Sequence, residues 1–385
     1  MKPAPKYAKL HSPHSVVVGE TSPSEAMAAA GLEANAGRPL GITRGSEIAG
    51  SSGSKPGRIS ALDFTKGALV LVMVLYHWLN YFVSSQGSFY RYLSFLPPSF
   101  ICITGFLIAQ VYLSKSRIGD PRLPRRLIVR GLKLLMLFIL LNVGTSLLIA
   151  GVYHGRRVFD NSSISSLSSV FVTGNMTGGR TVAFYVLVPI SYLLLLSALL
   201  VIAHRYYKHV FHATTLMCFL AILILFLNGS KSGNLELVTI GLLGISIGHI
   251  PIDKINYFLR HPYTVIVAYL CYVAAITVWN VPYPLQVAGV LLTLSVIYLA
   301  GTVSGKSGKM QGSLIMLGKY SLFGYIAQIA ILQLLRRSLG MALAPWVLGA
   351  SFLAAIALTL FAVRVVDRAR ANSSIVDRMY AVVFS

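Results

Sequence analysis

The sequence predicts an all-α integral membrane protein with about ten transmembrane helices and both termini cytoplasmic. Three observations predict it. Hydrophobic residues make up 55% of the 385-residue chain and charged residues only 11%, where a soluble domain carries roughly a quarter charged residues. Mean hydropathy is +0.71, so the chain lacks the polar residues to cover a water-facing surface. The basic residues, finally, alternate in density from one loop to the next. The formal charge of +22 therefore reads as positive-inside topology and not as a nucleic-acid footprint, because Lys and Arg are spread over short loops between apolar runs.

Taken in order, residues 1–57 are rich in Ser, Gly, Pro and Ala and hold no apolar core of signal-peptide length. They read as a disordered cytoplasmic tail. Ten apolar runs follow, at about 60–83, 96–114, 127–150, 184–203, 213–228, 235–250, 263–280, 285–303, 314–335 and 342–363, against about 20 residues for one crossing. The fifth and sixth are short. Together they define a transmembrane domain over 58–366, followed by a cytoplasmic C-terminal tail over 367–385. With the N-terminus inside, the inner segments hold 25 Lys and Arg and the outer loops seven, which sets the orientation. Cys102, Cys218 and Cys271 all fall within runs, so no disulfide framework is implied.

The first run, "ALDFTKGALVLVMVLYHWLNYF" (61–82), carries ionisable groups where lipid tolerates few. Lys66 and His77 are eleven residues apart, within about 20° of one helical face and about 16 Å apart along the axis. Asp63 stands one turn before Lys66, placed to pair with it, and Asn80 and Tyr81 lie one turn beyond His77. This polar stripe must face protein or a water-filled cavity. An imidazole there is suited to accept a proton near neutral pH.

The remaining runs add less. In "FLPPSFICITGFLIAQVYLSK" the prolines begin a helix and Gly105 permits close helix approach, while Thr104 bonds either into a cavity or to its own backbone. "DPRLPRRLIVRGLKLL" places Arg125, Arg126, Arg130 and Lys133 at a helix start, a suitable site for phosphates, although positive-inside topology alone accounts for several of these charges. The polar stretch 151–183 is long for a loop between spans, which suggests a functional or partly re-entrant segment. "GTVSGKSGK" (301–309) has one residue too few between its glycines for a phosphate loop and follows a membrane helix, so it is a connector. No group of residues suggests a metal site.

"RISALDFTKGALVLVMVLYH" resembles the first helix of the transmembrane acyltransferase superfamily, which includes acyltransferase-3 proteins, glucan succinyltransferases and heparan-α-glucosaminide N-acetyltransferase-like proteins. Arg58, Leu62, Asp63, Gly67 and His77 match the pattern, and Lys66 replaces its usual Arg, keeping the charge but losing the planar fork. Thr104-Gly105-Phe106 resembles the Ser-Gly-aromatic of the second helix. Arg130-Gly-Leu-Lys133 is similar to the donor-binding R-x-x-R element. In "LGKYSLFGYIAQIAIL" Leu317, Gly318, Ser321, Leu322 and Tyr325 match the late helix, and Gln328 stands where many acyltransferase-3 members have His.

The resemblance implies an acyl-CoA-dependent acyltransferase in the bacterial inner membrane. It would move an acetyl or succinyl group from cytosolic acyl-CoA to a hydroxyl or amine of a sugar or glycan. His77 would be base or acyl carrier, supported by Asp63 and Lys66. Arg125, Arg126, Arg130 and Lys133 would hold the coenzyme A phosphates, and acyl-CoA would be a co-substrate with no permanently bound cofactor. The rival reading is a ten-helix secondary transporter or exporter, with His77 and Asp63 coupling protons. Neither a two-half repeat nor matched broken helices, which such transporters show, is legible in the sequence.

Overall fold

The computed structural model describes residues 59–84, 87–114, 122–152, 168–174, 184–279, 281–303, 308–340 and 344–384. The tail expected over 1–57 lies outside them, as does most of the 151–183 loop. Among the described residues every regular element is helical. In chain order these are α1 (Ser60–Phe82), α2 (Tyr90–Leu93), α3 (Leu96–Leu107, continued as a π-helical turn over Ile108–Leu113), α4 (Arg122–Val152) and a short α5 over 168–172. They continue with α6 (Leu187–Ala203), α7 (Val210–Leu227), α8 (Gly233–Gly248), α9 (Ile252–Phe258) and α10 (Pro262–Val278). The last five are α11 (Tyr283–Val303), α12 (Lys309–Lys319), α13 (Ser321–Leu339), α14 (Pro345–Asn372) and α15 (Ser374–Phe384).

All ten apolar runs fold as helices, but their lengths differ from expectation. Six helices are long and apolar enough to cross a membrane, or up to eight if each of two bent pairs counts as one span. The fifth run, expected to be short, reaches 18 residues in α7. The sixth is short as expected, 16 residues in α8, and α6 and α10 have 17 each, the lower edge of a crossing length.

Both bends have physical causes. The sixth run ends at Gly248, and α9 turns away by 100° after Pro251, which disfavours helix in the residue before it. The amide of Gln110 donates to the freed carbonyls of Gly248 (2.8 Å) and Ile250 (3.0 Å). The ninth run, expected as one straight span over 314–335, is instead broken at Tyr320, where α12 and α13 meet at 97°. Tyr320 leaves helical geometry (φ −111°, ψ 30°), and its hydroxyl donates to Asp367 on α14 at 2.6 Å.

Glycines set the tightest crossings. A Cβ on Gly105 would collide with the Gly241 carbonyl and one on Gly244 with that of Cys102, so α3 and α8 lie backbone to backbone. Residues 102, 105 and 109 meet 244, 241/245 and 248 in turn, which makes this pair parallel. Such small-residue contacts hold helices together where lipid offers no hydrophobic drive between them. α1 is surrounded, packing on α12, α13, α11, α14 and α3. It runs parallel to α13, with Val70 against Gly324, Val74 clustered with Leu332, and Tyr81 bonded to Gln333.

α14 continues without a break through 366 to Asn372, and α15 folds back onto the α12–α13 elbow. Part of the long 151–183 loop is also docked. Val170 is buried, Phe171 meets Phe138 edge-on, and the Asn234 amide donates to the Val170 and Phe171 carbonyls.

Candidate active site

The α1 stripe faces protein, as lipid exclusion requires. Asp63 (4% exposed) and Lys66 form the expected i,i+3 ion pair, Nζ to Oδ1 at 2.6 Å. The pair sits at the α1–α12 crossing, where a Cβ on Gly318 would strike the Asp63 carbonyl. Two quoted motifs, one from each end of the transmembrane domain, are thus pressed together at the start of α1.

His77 lies deeper, and its Nε2 is buried without a hydrogen-bond partner among the described residues. Tyr76 meets its ring edge-on at 5.2 Å, and Tyr325 of α13 lies 6.2 Å away. One turn beyond Tyr325 on the same helix is Gln328, wholly buried, with neither amide atom partnered among the described residues. Gln328 is bracketed by residues that touch α1, Gly324 before it and Leu332 after it, so its amide stands on the α13 face that packs against the His77 helix. A buried donor or acceptor left unmade costs about 1–3 kcal/mol, and most native ones are satisfied. Three such atoms on packed helices leave hydrogen-bonding capacity that the described residues do not use.

Aromatic rings pack around His77 and Tyr325. Phe184, buried at the approach to α6, meets Tyr325 edge-on at 5.9 Å. Its backbone has φ 63°, a left-handed conformation rare for a bulky residue and a mark of local strain. From Tyr76 the rings lead to Tyr90 at 5.3 Å, whose hydroxyl donates to the Ser84 carbonyl at the far end of α1. Tyr81 accepts from Gln333 and lies 5.8 Å beneath Arg336.

At the opposite end, where α1 begins, a pocket of about 120 Å³ opens between α1, α3, α8 and α11 with α9 across it. Its walls are nearly all apolar, with Leu62, Phe106, Ile252 and Leu294 among them. Thr65 also lines it, its hydroxyl donating to Ala61, one residue from Lys66.

The four basic residues on α4 are not gathered onto the stripe. Arg125 and Arg126 are exposed in and just after the first turn of α4, and Lys133 is half-buried. Arg130 lies over the ring of Tyr112, in the π-helical turn, at 5.2 Å. α4 packs mainly on α6, and no packing of α4 on α1 stands out among the described residues. The link is α3 itself, which lines the pocket with Phe106 and carries Tyr112 under Arg130.

Other readings resolve simply. Thr104 donates to the Phe100 carbonyl four residues back (2.7 Å), and Gly105 is a packing glycine. Arg58 lies outside the described residues. No group of three or more His, Cys, Asp or Glu suited to a metal ion occurs among the described residues. Tyr325 and Gln328 carry more of the site than their place in a motif suggested, and the left-handed backbone of Phe184 had no sequence signal.

Searches against protein-family models, curated proteins and solved structures find no match to this chain.

Proposed function

We propose that this is a membrane-embedded acyltransferase that moves an acetyl or succinyl group from acyl-CoA to a hydroxyl or amine of a sugar or glycan. The observation that carries the reading is the buried His77 Nε2, unpartnered among the described residues, with the equally unpartnered amide of Gln328 on the helix packed against α1. His77 takes the proton of the acceptor as its oxygen or nitrogen bonds to the thioester carbonyl carbon. The carbon–sulfur bond then breaks, and the proton passes to the departing sulfur, giving acylated acceptor and free coenzyme A. In the two-step variant the imidazole itself attacks first and carries the acyl group. Asp63 and Lys66 brace the start of α1. Arg130 and Lys133, with Arg125 and Arg126, bind the phosphates of coenzyme A, and the pocket beside Thr65 receives the arm that follows them.

The same reading places ten crossings with both termini in the cytoplasm of a bacterial inner membrane. Parallel packing of α1 with α13 and of α3 with α8 supports it, because first and ninth, and second and sixth, crossings run the same way. Donor would then enter from the end bearing the α4 cations, and acceptor from the Tyr76–Tyr90 side.

The two bent helix pairs bring a proton-coupled transporter forward as the second reading, since broken helices mark such proteins. Transporter breaks lie at the membrane midplane. Here the Tyr320 bend adjoins Gly318 at the very start of α1, and the α8–α9 bend follows the last turn of its span, which favours the enzyme. Release of coenzyme A thiol from acetyl-CoA and succinyl-CoA by purified protein in detergent separates the two. Turnover abolished in His77→Ala supports the enzyme. No binding or turnover of either thioester, with proton-dependent solute uptake in vesicles, would replace it with the transporter.

A further inference from the structure

The chain beyond α14 has two faces, and only one is used by the fold. Tyr380 meets Tyr320 edge-on at 5.4 Å, and Phe384 meets Phe323 at 6.0 Å. Arg370 of α14 lies 4.1 Å over the Tyr380 ring and donates to Asp377 from Nε at 2.8 Å. This face therefore braces the elbow at Tyr320, two residues from the Gly318 that presses on Asp63. Burial pushes the Tyr380 hydroxyl up to about 12, so it is neutral under the Arg370 guanidinium at physiological pH.

The opposite face is apolar and, among the described residues, uncovered. Ile375, Met379 and Val382 are 69%, 65% and 68% exposed, and at 100° per residue they share an arc of about 60°. Tyr380, Asp377 and Phe384 point the other way. What covers the stripe follows from where the helix starts. A single extended residue, Ser373, separates α15 from α14, one of the six helices fit to cross a membrane. α15 thus begins where a span leaves the bilayer. The charge at this end matches a lipid surface too. Both acids are taken, Asp367 by Lys319 and Tyr320 and Asp377 by Arg370, while Arg368 and Arg378 are exposed.

We propose that α15 is an in-plane membrane helix, its Ile375–Met379–Val382 stripe sunk into the headgroup boundary of an anionic leaflet while its inner face holds the α12–α13 elbow. An amphipathic helix flanked by Arg binds in this way, through buried apolar area and attraction to anionic lipid together.

The test uses the full chain with its three cysteines replaced and a nitroxide placed singly at Ser374, Ile375, Met379 or Val382. It is reconstituted in phosphatidylcholine vesicles with and without phosphatidylglycerol. At 375, 379 and 382, collision with oxygen should exceed collision with an aqueous nickel chelate severalfold relative to Ser374. That ratio should rise with phosphatidylglycerol, and Arg368→Gln with Arg378→Gln should remove the rise. Equal access of the nickel chelate at Met379 and Ser374 would overturn the proposal. So would shielding of Met379 from both quenchers, which would mean a protein partner or a second copy. A ratio indifferent to phosphatidylglycerol would overturn its anionic-lipid component. Should the cysteine-free chain not fold, a diazirine lipid probe on the unaltered protein gives the same answer: labelling of the 374–384 peptide supports the proposal, and its absence beside labelled α14 overturns it.

Discussion

Gly67 of α1 and Gly318 of α12 meet backbone to backbone: a Cβ on either would come within 3.0 Å of the other's amide nitrogen. The turn of α1 bearing Asp63 and Lys66 is therefore seated directly on the helix that ends at the Tyr320 elbow. Neither backbone can yield as a flexible side chain would. Gly67→Ala and Gly318→Ala should each destabilise by about 1–3 kcal/mol or more through overpacking, seen as a lowered Tm in detergent. Gly312→Ala, with open space around it, should leave Tm unchanged or slightly raised. Equal Tm for all three would show that the crossing contributes nothing.

Lys66 neutralises a carboxylate that has little access to water. Replacing it with Met removes one partner of this buried carboxylate and should destabilise the protein, whereas removing both charges in Asp63→Asn with Lys66→Met should recover part of that loss. A double-mutant cycle on thermal unfolding measures the coupling; additive losses would mean that the pair is not a unit.

Gln328 contributes no hydrogen bond to the described fold, so Gln328→Leu should hold or raise Tm, since an apolar side chain of similar size relieves two unmade bonds. Acyl transfer should nonetheless fall by roughly tenfold to a hundredfold, the value of one or two lost substrate hydrogen bonds. A variant with lowered Tm and unaltered transfer would make Gln328 a packing residue.

Arg130 lies over the Tyr112 ring, and a guanidinium fork matches phosphate in two-point fashion. Arg130→Lys should therefore weaken acyl-CoA binding, measured by calorimetry, and Arg130→Ala should weaken it further, with Tm little altered. Unchanged affinity in both would remove α4 from the donor site.

Much of this architecture was legible in the sequence, where the physics is local. The Asp63–Lys66 pair follows from i,i+3 spacing, and the inward face of the stripe from the expense of charge in lipid. The ten runs follow from hydropathy. The elbow at Tyr320 was not legible, because 314–335 holds no proline and Gly318-Lys319-Tyr320-Ser321 within it does not by itself dictate a bend. Its causes are distant: the Asp63 carbonyl beneath Gly318 and Asp367 bound to Tyr320. Phe184 is hidden too, since nothing in the local sequence marks the left-handed φ it adopts at the approach to α6. Gln328 could be noticed only as a departure from a motif, and its isolation emerges once α13 is laid against α1.

The central claim is that His77 performs the chemistry, and labelled acyl groups test it most directly. Wild-type protein and His77→Ala, matched for Tm and acyl-CoA affinity, would be given radiolabelled acetyl-CoA and succinyl-CoA with sugar acceptors in reconstituted vesicles. The account predicts label on the acceptor with the wild type and none above background with the variant, at equal donor binding. Transfer by His77→Ala at the wild-type rate would contradict it.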